Sequence, residues 1–132
     1  MAVLEGGCLC GTIRYRVSGT PRYSAICHCR SCRRASSAPS VAWQTYERRC
    51  FELLAGQPRA FRSSAGVERT FCDSCGSPLT YTTHERPDHI DITSVSLDQP
   101  EQARPDREVF TAERLSWQPV DTGRQLFEQG GE

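Results

Sequence analysis

The residues best suited to chemistry in this sequence are its cysteines, which make up eight of the 132 residues. Seven of them form three short motifs, C-x-C, C-x-C-x-x-C and C-x-x-C, at Cys8 and Cys10, at Cys27, Cys29 and Cys32, and at Cys72 and Cys75. Zinc in a structural site takes four tetrahedral ligands, whereas catalytic zinc takes three protein ligands and keeps one position open. Because seven cysteines divide into four and three, the sequence predicts two zinc ions per chain, one structural and one catalytic.

The structural site is predicted from the two pairs. Cys72 and Cys75 are typical of a zinc knuckle, since a short loop wraps two sulfurs around one metal and Gly76 permits a tight backbone turn. Cys8 and Cys10 supply the second pair, because two residues separated by one on an extended chain point to the same side. A zinc ion on these four sulfurs would join the N-terminal strand to the middle of the chain.

The remaining cluster predicts the catalytic zinc. Cys27, Cys29 and Cys32 lie within six residues, so their thiolates can hold one face of the ion and leave the fourth position open. Two alternatives stay open: His28 could be a ligand, although on an extended segment it faces away from the metal of its neighbours. Cys50 could instead supply a fourth sulfur and convert the site into a closed, structural one.

The charged residues narrow the range of partners. All 16 basic residues are arginines and 16 acidic residues balance them, so the excess positive charge of a nucleic-acid-binding domain is missing. Arg30, Arg33 and Arg34 crowd the three-cysteine cluster. Their guanidinium groups would offset the negative charge of three thiolates and bind substrate carboxylates, so we assign them, with His28, to substrate binding.

The sequence also indicates a compartment. No apolar run approaches the roughly 20 residues that cross a bilayer, and the first residues lack the basic and apolar regions of a signal peptide. We therefore expect a cytoplasmic protein without membrane contact. In the reducing cytosol, metal binding is expected of clustered cysteines more than disulfide bonding.

Glycine and proline separate short segments in which apolar and polar residues alternate, which is typical of β-strands. This spacing predicts an all-β domain, a small barrel or a twisted sheet, with one or two helical turns over 32–37. The predicted strands cover residues 12–17, 40–46, 51–54, 59–62, 67–71, 79–83, 89–95 and 108–111.

One domain is expected over residues 1–132, with a core at about 4–119. Residues 120–132 are polar and are predicted to form a loose tail on which Leu126 and Phe127 dock. The large aromatic residues Trp43, Phe61 and Trp117 are assigned to the core, because such residues dominate small cores.

Four stretches resemble, in order, the glutathione-dependent formaldehyde-activating enzyme family, also called the CENP-V/GFA domain: residues 6–15, 27–33, 71–79 and 96–98. The resemblance implies an Mss4-like fold of coiled β-sheets. It also implies a structural zinc on Cys8, Cys10, Cys72 and Cys75 and a catalytic zinc on Cys27, Cys29 and Cys32. The activity it implies is carbon–sulfur lyase chemistry, which forms or breaks S-hydroxymethylglutathione from glutathione and formaldehyde.

The implied partners are thus a small thiol, glutathione, and an aldehyde, with the cluster arginines on the glutathione carboxylates. A non-catalytic zinc protein that binds thiols or a protein partner through the same fold is the alternative. The sequence departs from the family at residues 36–38, where Ser36, Ser37 and Ala38 stand where members often carry a glycine. A homo-oligomer is compatible with the sequence, which does not set the oligomeric state.

Overall fold

The computed structural model of the protein describes residues 2–130; Met1 and the last two residues of the predicted domain and tail lie outside the described residues. The described chain is mainly β, which confirms the predicted fold class. Within this range no helix has the length and apolar character needed to cross a bilayer.

Eleven strands and one α-helix form the regular structure of residues 2–130, together with four short 3₁₀ turns. In chain order they are β1 (Val3–Gly7), β2 (Arg14–Ser18), β3 (Tyr23–Cys27), α1 (Arg30–Ser36), β4 (Val41–Glu47), β5 (Phe51–Ala55), β6 (Arg59–Ser64), β7 (Val67–Phe71), β8 (Pro78–Thr83), β9 (His89–Thr93), β10 (Arg107–Val109) and β11 (Gln125–Leu126).

The strands form two sheets. The smaller has the order β1-β2-β5 and the larger the order β11-β10-β3-β4-β9-β8-β7-β6. All pairs are antiparallel except those of β10, which runs parallel to both β3 and β11. The antiparallel majority follows from short connections between consecutive strands. The parallel strand β10 comes from the C-terminal part of the chain and lies beside the end of β3, where the three-cysteine cluster begins.

The main core combines apolar side chains of both sheets. Alternation along β2 buries Tyr15 and Val17, which have about 1% of their surface exposed, and the ring of Tyr15 stacks on Phe51 at 5.5 Å. They pack in one cluster with Leu79 and Ile92 of the larger sheet. Burial of such side chains stabilises the fold by about 1.5–3 kcal/mol each, so this cluster holds the two sheets together.

A second cluster lies next to the cysteines. Trp43 of β4 packs with Val41, Cys27 and Cys32, and its ring meets that of Tyr81 at 6.0 Å. Trp43 is therefore buried as predicted, but it also lines a cavity beside these cysteines.

Two of the predicted core aromatics are exposed, so that assignment was wrong for them. Phe61 is 46% and Trp117 68% exposed. Phe61 lies on β6, the last strand of the larger sheet, and its ring meets that of Phe71 edge-on at 5.9 Å. Trp117 lies in a turn after the last 3₁₀ segment, outside any strand.

The predicted strand over 89–95 ends at Thr93, because residues 94–96 turn into a 3₁₀ segment. Strands β1, β3 and β11 have no counterpart among the predicted strands. In β1 the last two residues are glycines, and an added Cβ at Gly6 would come within 2.6 Å of the Ser96 carbonyl oxygen. Alternation of apolar and polar side chains cannot identify such a strand, because its glycines serve the close approach of another backbone segment.

The C-terminal segment, for which a loose tail was predicted, is attached to the larger sheet. Strand β11 pairs with β10, and the Phe127 N–H donates to the Glu108 carbonyl at 2.9 Å. Phe127 is half-buried below the Arg107 guanidinium, 5.8 Å from its ring, whereas Leu126 is 44% exposed. Docking of Phe127, and not of Leu126, accompanies this pairing.

Candidate metal centres and the adjoining cavity

Four cysteines from two distant parts of the chain lie together: the sulfurs of Cys8, Cys10, Cys72 and Cys75 are all within 4.8 Å of one another. Zinc–sulfur bonds of 2.3 Å in a tetrahedron place sulfurs about 3.8 Å apart. The Cys8–Cys10 distance is 3.6 Å and the Cys10–Cys72 distance 3.8 Å. This all-sulfur set therefore fits a structural zinc ion.

Two loops present these sulfurs. The first follows β1 and the second joins β7 to β8, and each contains a glycine with positive φ, Gly11 at 82° and Gly76 at 81°. Glycine adopts this conformation without the steric penalty of a side chain. The loops also contact each other directly, because the Leu9 N–H donates to the Ser77 hydroxyl at 3.0 Å.

Hydrogen bonds favour the thiolate form of Cys75 in this group. The Ser77 hydroxyl lies 3.2 Å from the Cys75 sulfur, and it, followed by backbone N–H groups of Ser77 and Cys10, lowers the pKa of Cys75 to about 5. Donors that stabilise a thiolate lower the proton competition that a metal must overcome.

The other three clustered cysteines form a separate group, whose sulfurs also lie within 4.8 Å of one another. Cys27 ends β3, between β4 and β10. Cys29 is the N-cap of α1, where its sulfur accepts the N–H of Cys32 at 3.4 Å. The strand end, the cap and the first helical turn thus bring three sulfurs to one point. This group also fits zinc, with three donors instead of four.

Within this group the thiolate is favoured at Cys29. Hydrogen bonds from Cys27 and then Cys32, together with the nearby Arg69, lower the pKa of Cys29. Hydrogen bonds with Cys29 and Cys32 raise the pKa of Cys27. The pKa of Cys32 is also raised, because its hydrogen bond with Cys27 lowers it less than its hydrogen bond with Cys29 and its burial raise it. The two terminal nitrogens of Arg69 lie 3.8 and 3.6 Å from the Cys32 sulfur.

Arg69 was not predicted as a site residue. It lies on β7, two residues from both Val67 and Phe71. Arg69 is buried, whereas its neighbour Glu68 is exposed. The signal that would have found it is a charged residue on the inward side of an alternating strand, since a buried charge needs a partner.

His28 lies outside the three-sulfur group. It is completely buried, and its Nε2 is 2.6 Å from Oε1 of Glu108. The other Glu108 oxygen accepts the Asp121 N–H at 2.8 Å and the Arg124 guanidinium at 3.1 Å. Burial raises the pKa of Glu108, and these hydrogen bonds outweigh it, so the pKa is lowered.

The predicted substrate-binding arginines lie around the outside of the cluster. Arg30 and Arg34 are exposed. The Arg33 side chain donates to the backbone carbonyls of His28 at 3.1 Å and Glu113 at 3.2 Å. Arg33 therefore stabilises the loop that carries Cys27 and Cys29. Neither these three arginines nor His28 line the cavity beside the three sulfurs.

That cavity has a volume of about 360 Å³, and Cys27, Cys29 and Cys32 form part of its wall. A cavity of this size is within the range of small-molecule sites. The arginines that line it are Arg69, Arg86 and Arg107. Sequence proximity to the cysteines did not reveal them, because they come from β7, from the turn before β9 and from β10.

Two of these arginines are held in fixed positions. Arg86 donates to Asp91 at 3.0 Å, and Asp91 also lines the cavity. Arg107 lies over the rings of Tyr23 and Phe127, with centroid distances of 5.1 and 5.8 Å. Guanidinium groups held in this way lose little side-chain entropy when a carboxylate binds beside them.

Cys50 belongs to neither sulfur group in the described part of the chain. It ends a 3₁₀ turn before β5 and is half-buried. The alternative in which Cys50 closes the three-cysteine site has no support in this geometry.

Comparisons with known proteins agree with this architecture. Over 89 residues the chain is 32% identical to a Schizosaccharomyces pombe protein named an uncharacterized lyase; the match covers 66% of this chain and 64% of that protein, less than two thirds of its length. The crystal structure of a Rhodobacter sphaeroides protein superposes with a TM-score of 0.64 at 16% identity, over 94% of this chain and 99% of the other. At this identity the likeness concerns the fold alone.

Residues 3–113 match the family described as glutathione-dependent formaldehyde-activating enzyme. The match includes all seven clustered cysteines and strands β1 to β10, and it confirms the resemblance carried by the cysteine motifs. The chain belongs to the glutathione-dependent formaldehyde-activating enzyme family.

Proposed function

We propose that this protein is a zinc-dependent carbon–sulfur lyase-type enzyme that adds a thiol, glutathione, reversibly to an aldehyde such as formaldehyde. The observation that carries the proposal is the three-sulfur group in the wall of a cavity of about 360 Å³. Family membership and the lyase name of the yeast relative support it.

Cys27, Cys29 and Cys32 would hold the catalytic zinc, and Cys8, Cys10, Cys72 and Cys75 the structural one. Zinc with one open position would bind the substrate thiol in its ionised, nucleophilic form at neutral pH. A free thiol is mostly protonated at that pH. In this proposal the three cysteines confine the reacting sulfur to the cavity, next to the aldehyde.

The reaction involves no oxidation or reduction. The thiol proton leaves, the sulfur attacks the carbonyl carbon, and the carbonyl π electrons move to the oxygen, which takes up a proton. The reverse reaction breaks the same carbon–sulfur bond. Holding both reactants in one cavity replaces a random encounter by a positioned one, which is the main contribution that such a site can make.

We assign the carboxylates of glutathione to Arg86 and Arg107, which line the cavity, and not to Arg30, Arg33 and Arg34. His28 does not line the cavity, and its imidazole is held by Glu108. It therefore acts in this proposal by holding the loop between Cys27 and Cys29, and not as a proton donor to the substrate.

The test mixes the zinc-loaded protein with glutathione and formaldehyde, and measures by NMR exchange spectroscopy the rate at which the adduct and the free thiol interconvert. We expect an interconversion rate above the spontaneous one for the wild type and for Cys50→Ser, and the spontaneous rate for Cys29→Ser. Failure of the wild type to accelerate any thiol and aldehyde pair would favour the non-catalytic zinc protein.

A further inference from the structure

Arg69 is a buried cation without a carboxylate partner. Only 6% of the residue is exposed, and no ion pair joins it to an Asp or Glu within residues 2–130. A guanidinium removed from water is costly unless an anion or strong hydrogen bonds compensate it. The fold therefore implies an anion beside this residue.

The neighbouring group that becomes an anion when it binds a metal is a sulfur. Among the described residues, the terminal nitrogens of Arg69 approach the Cys32 sulfur, at 3.8 and 3.6 Å. Its Nε donates to the Ser63 hydroxyl at 3.0 Å, and its guanidinium lies over the Tyr81 ring at 4.9 Å. The Ser63 hydroxyl and the Tyr81 ring hold the Arg69 guanidinium so that its two terminal nitrogens face the three-cysteine group.

The sheet register enforces this direction. Arg69 on β7 is directly opposite Tyr81 on β8 and Phe61 on β6, and residues directly opposite one another share a sheet face. A shift of one residue would turn Arg69 outward and move it away from Cys32. The guanidinium also lines the cavity, so it contacts both the cysteine group and the space in front of it.

We propose that Arg69 is a positioning residue that makes the three-cysteine site selective for an anionic incoming ligand, a thiolate, over a neutral one. The inference rests on the proposed function of this site. Zinc with three thiolates carries about one net negative charge, and a fourth thiolate raises this to about two. A buried guanidinium in contact with one of the sulfurs offsets that increase, whereas it has no such effect on a neutral ligand.

The test compares the two kinds of ligand on the Co²⁺-loaded protein, prepared with a non-thiol reductant. Titrations with 2-mercaptoethanol and with imidazole are followed through the cobalt absorption bands. 2-Mercaptoethanol carries no carboxylate, so arginines that bind glutathione do not influence the result. The variants are Arg69→Met, Arg69→Gln and Arg69→Lys, and the matched control is Arg62→Met on the exposed strand β6.

We expect Arg69→Met and Arg69→Gln to raise the Kd for 2-mercaptoethanol tenfold or more, since an opposite charge at this range shifts the ionisation of a group by about one to three pKa units. The Kd for imidazole should stay within about twofold of the wild type. Arg69→Lys should recover part of the thiol affinity, and Arg62→Met should match the wild type for both ligands.

An equal loss of both affinities in Arg69→Gln would show a merely structural role and overturn the inference, as would unchanged thiol affinity in that variant. Melting temperatures identify any variant that fails to fold, and Arg69→Lys against wild type then provides the comparison. The enzymatic proposal fails separately: a wild type that binds 2-mercaptoethanol with the expected selectivity, but does not accelerate adduct formation, contradicts only the proposed reaction.

Discussion

The imidazole of His28 and the carboxylate of Glu108 meet at 2.6 Å, 80 residues apart in sequence and with at most 2% of either side chain exposed. The same carboxylate accepts hydrogen bonds from Asp121 and Arg124. The loop that carries the three cysteines is thus connected through one buried acid to the C-terminal segment.

Glu108→Gln should lower the free energy of unfolding by about 2–4 kcal/mol at pH 7, because it removes the charged partner of a buried pair. The pKa of Glu108 is lowered from its ordinary value of 4.5 in the folded protein. Its stabilisation is therefore fully present above about pH 4.5, and is lost as the pH falls through the folded-state pKa. Urea unfolding of both proteins between pH 3.5 and 7 measures the difference.

The difference between wild type and Glu108→Gln should shrink at acid pH, while an exposed control, Glu101→Gln, should differ little from wild type throughout. A constant difference across the whole pH range would contradict the ionised state assigned to Glu108.

Deletion of residues 120–132 should lower the melting temperature by roughly 10 °C or more. The deletion removes β11. It also removes the carbonyl oxygens of Gln129 and Phe127, which accept hydrogen bonds from the N–H groups of Phe110 and Thr111. It also takes away two of the three donors to Glu108. Differential scanning calorimetry checks this, and an unchanged melting temperature would mean that the segment is not bound in solution.

The two sulfur groups should differ in their effect on folding. Cys75→Ser should lower the melting temperature strongly, since this group joins loops more than 60 residues apart, and metal binding there contributes directly to folding. Cys29→Ser should release one zinc per chain and leave most of the fold intact. Metal analysis by mass spectrometry together with thermal melts tests both expectations. Cys50→Ser is the control and should retain two zinc ions.

Ser37→Gly should stabilise the protein by about 0.5–1 kcal/mol. Ser37 follows α1 with φ 50° and ψ 47°, a left-handed conformation that costs a residue with a side chain more than it costs glycine. Ala38 completes the helix end, because its N–H donates to the Arg33 carbonyl at 3.1 Å. Chemical denaturation measures the change; a loss of stability would show that the hydroxyl of Ser37 has a role that glycine cannot replace.

Much of the fold and of the candidate metal sites could be predicted from local sequence. The strand over 67–71 coincides with β7, and those over 51–54, 59–62 and 79–83 lie within β5, β6 and β8. The four-plus-three division of the cysteines matches the two sulfur groups. Alternation and ligand spacing are short-range properties, and a few consecutive residues are enough to express them.

The surroundings of the candidate site depended on the tertiary structure. Arg69, Arg86 and Arg107 reach the cavity from separate elements, while the arginines adjacent to Cys29 in sequence do not. Glu108 reaches His28 because β10 pairs with the end of β3, next to the loop that carries His28.

The amino-acid sequence by itself thus determined most of the strand pattern, the two groups of cysteines and the family. The tertiary structure decided which charges surround the three-cysteine group and how the C-terminal segment is attached to it. The physical reason is that these contacts depend on strand order and register. Strand order and register are set cooperatively by packing across the whole sheet and not by any one segment.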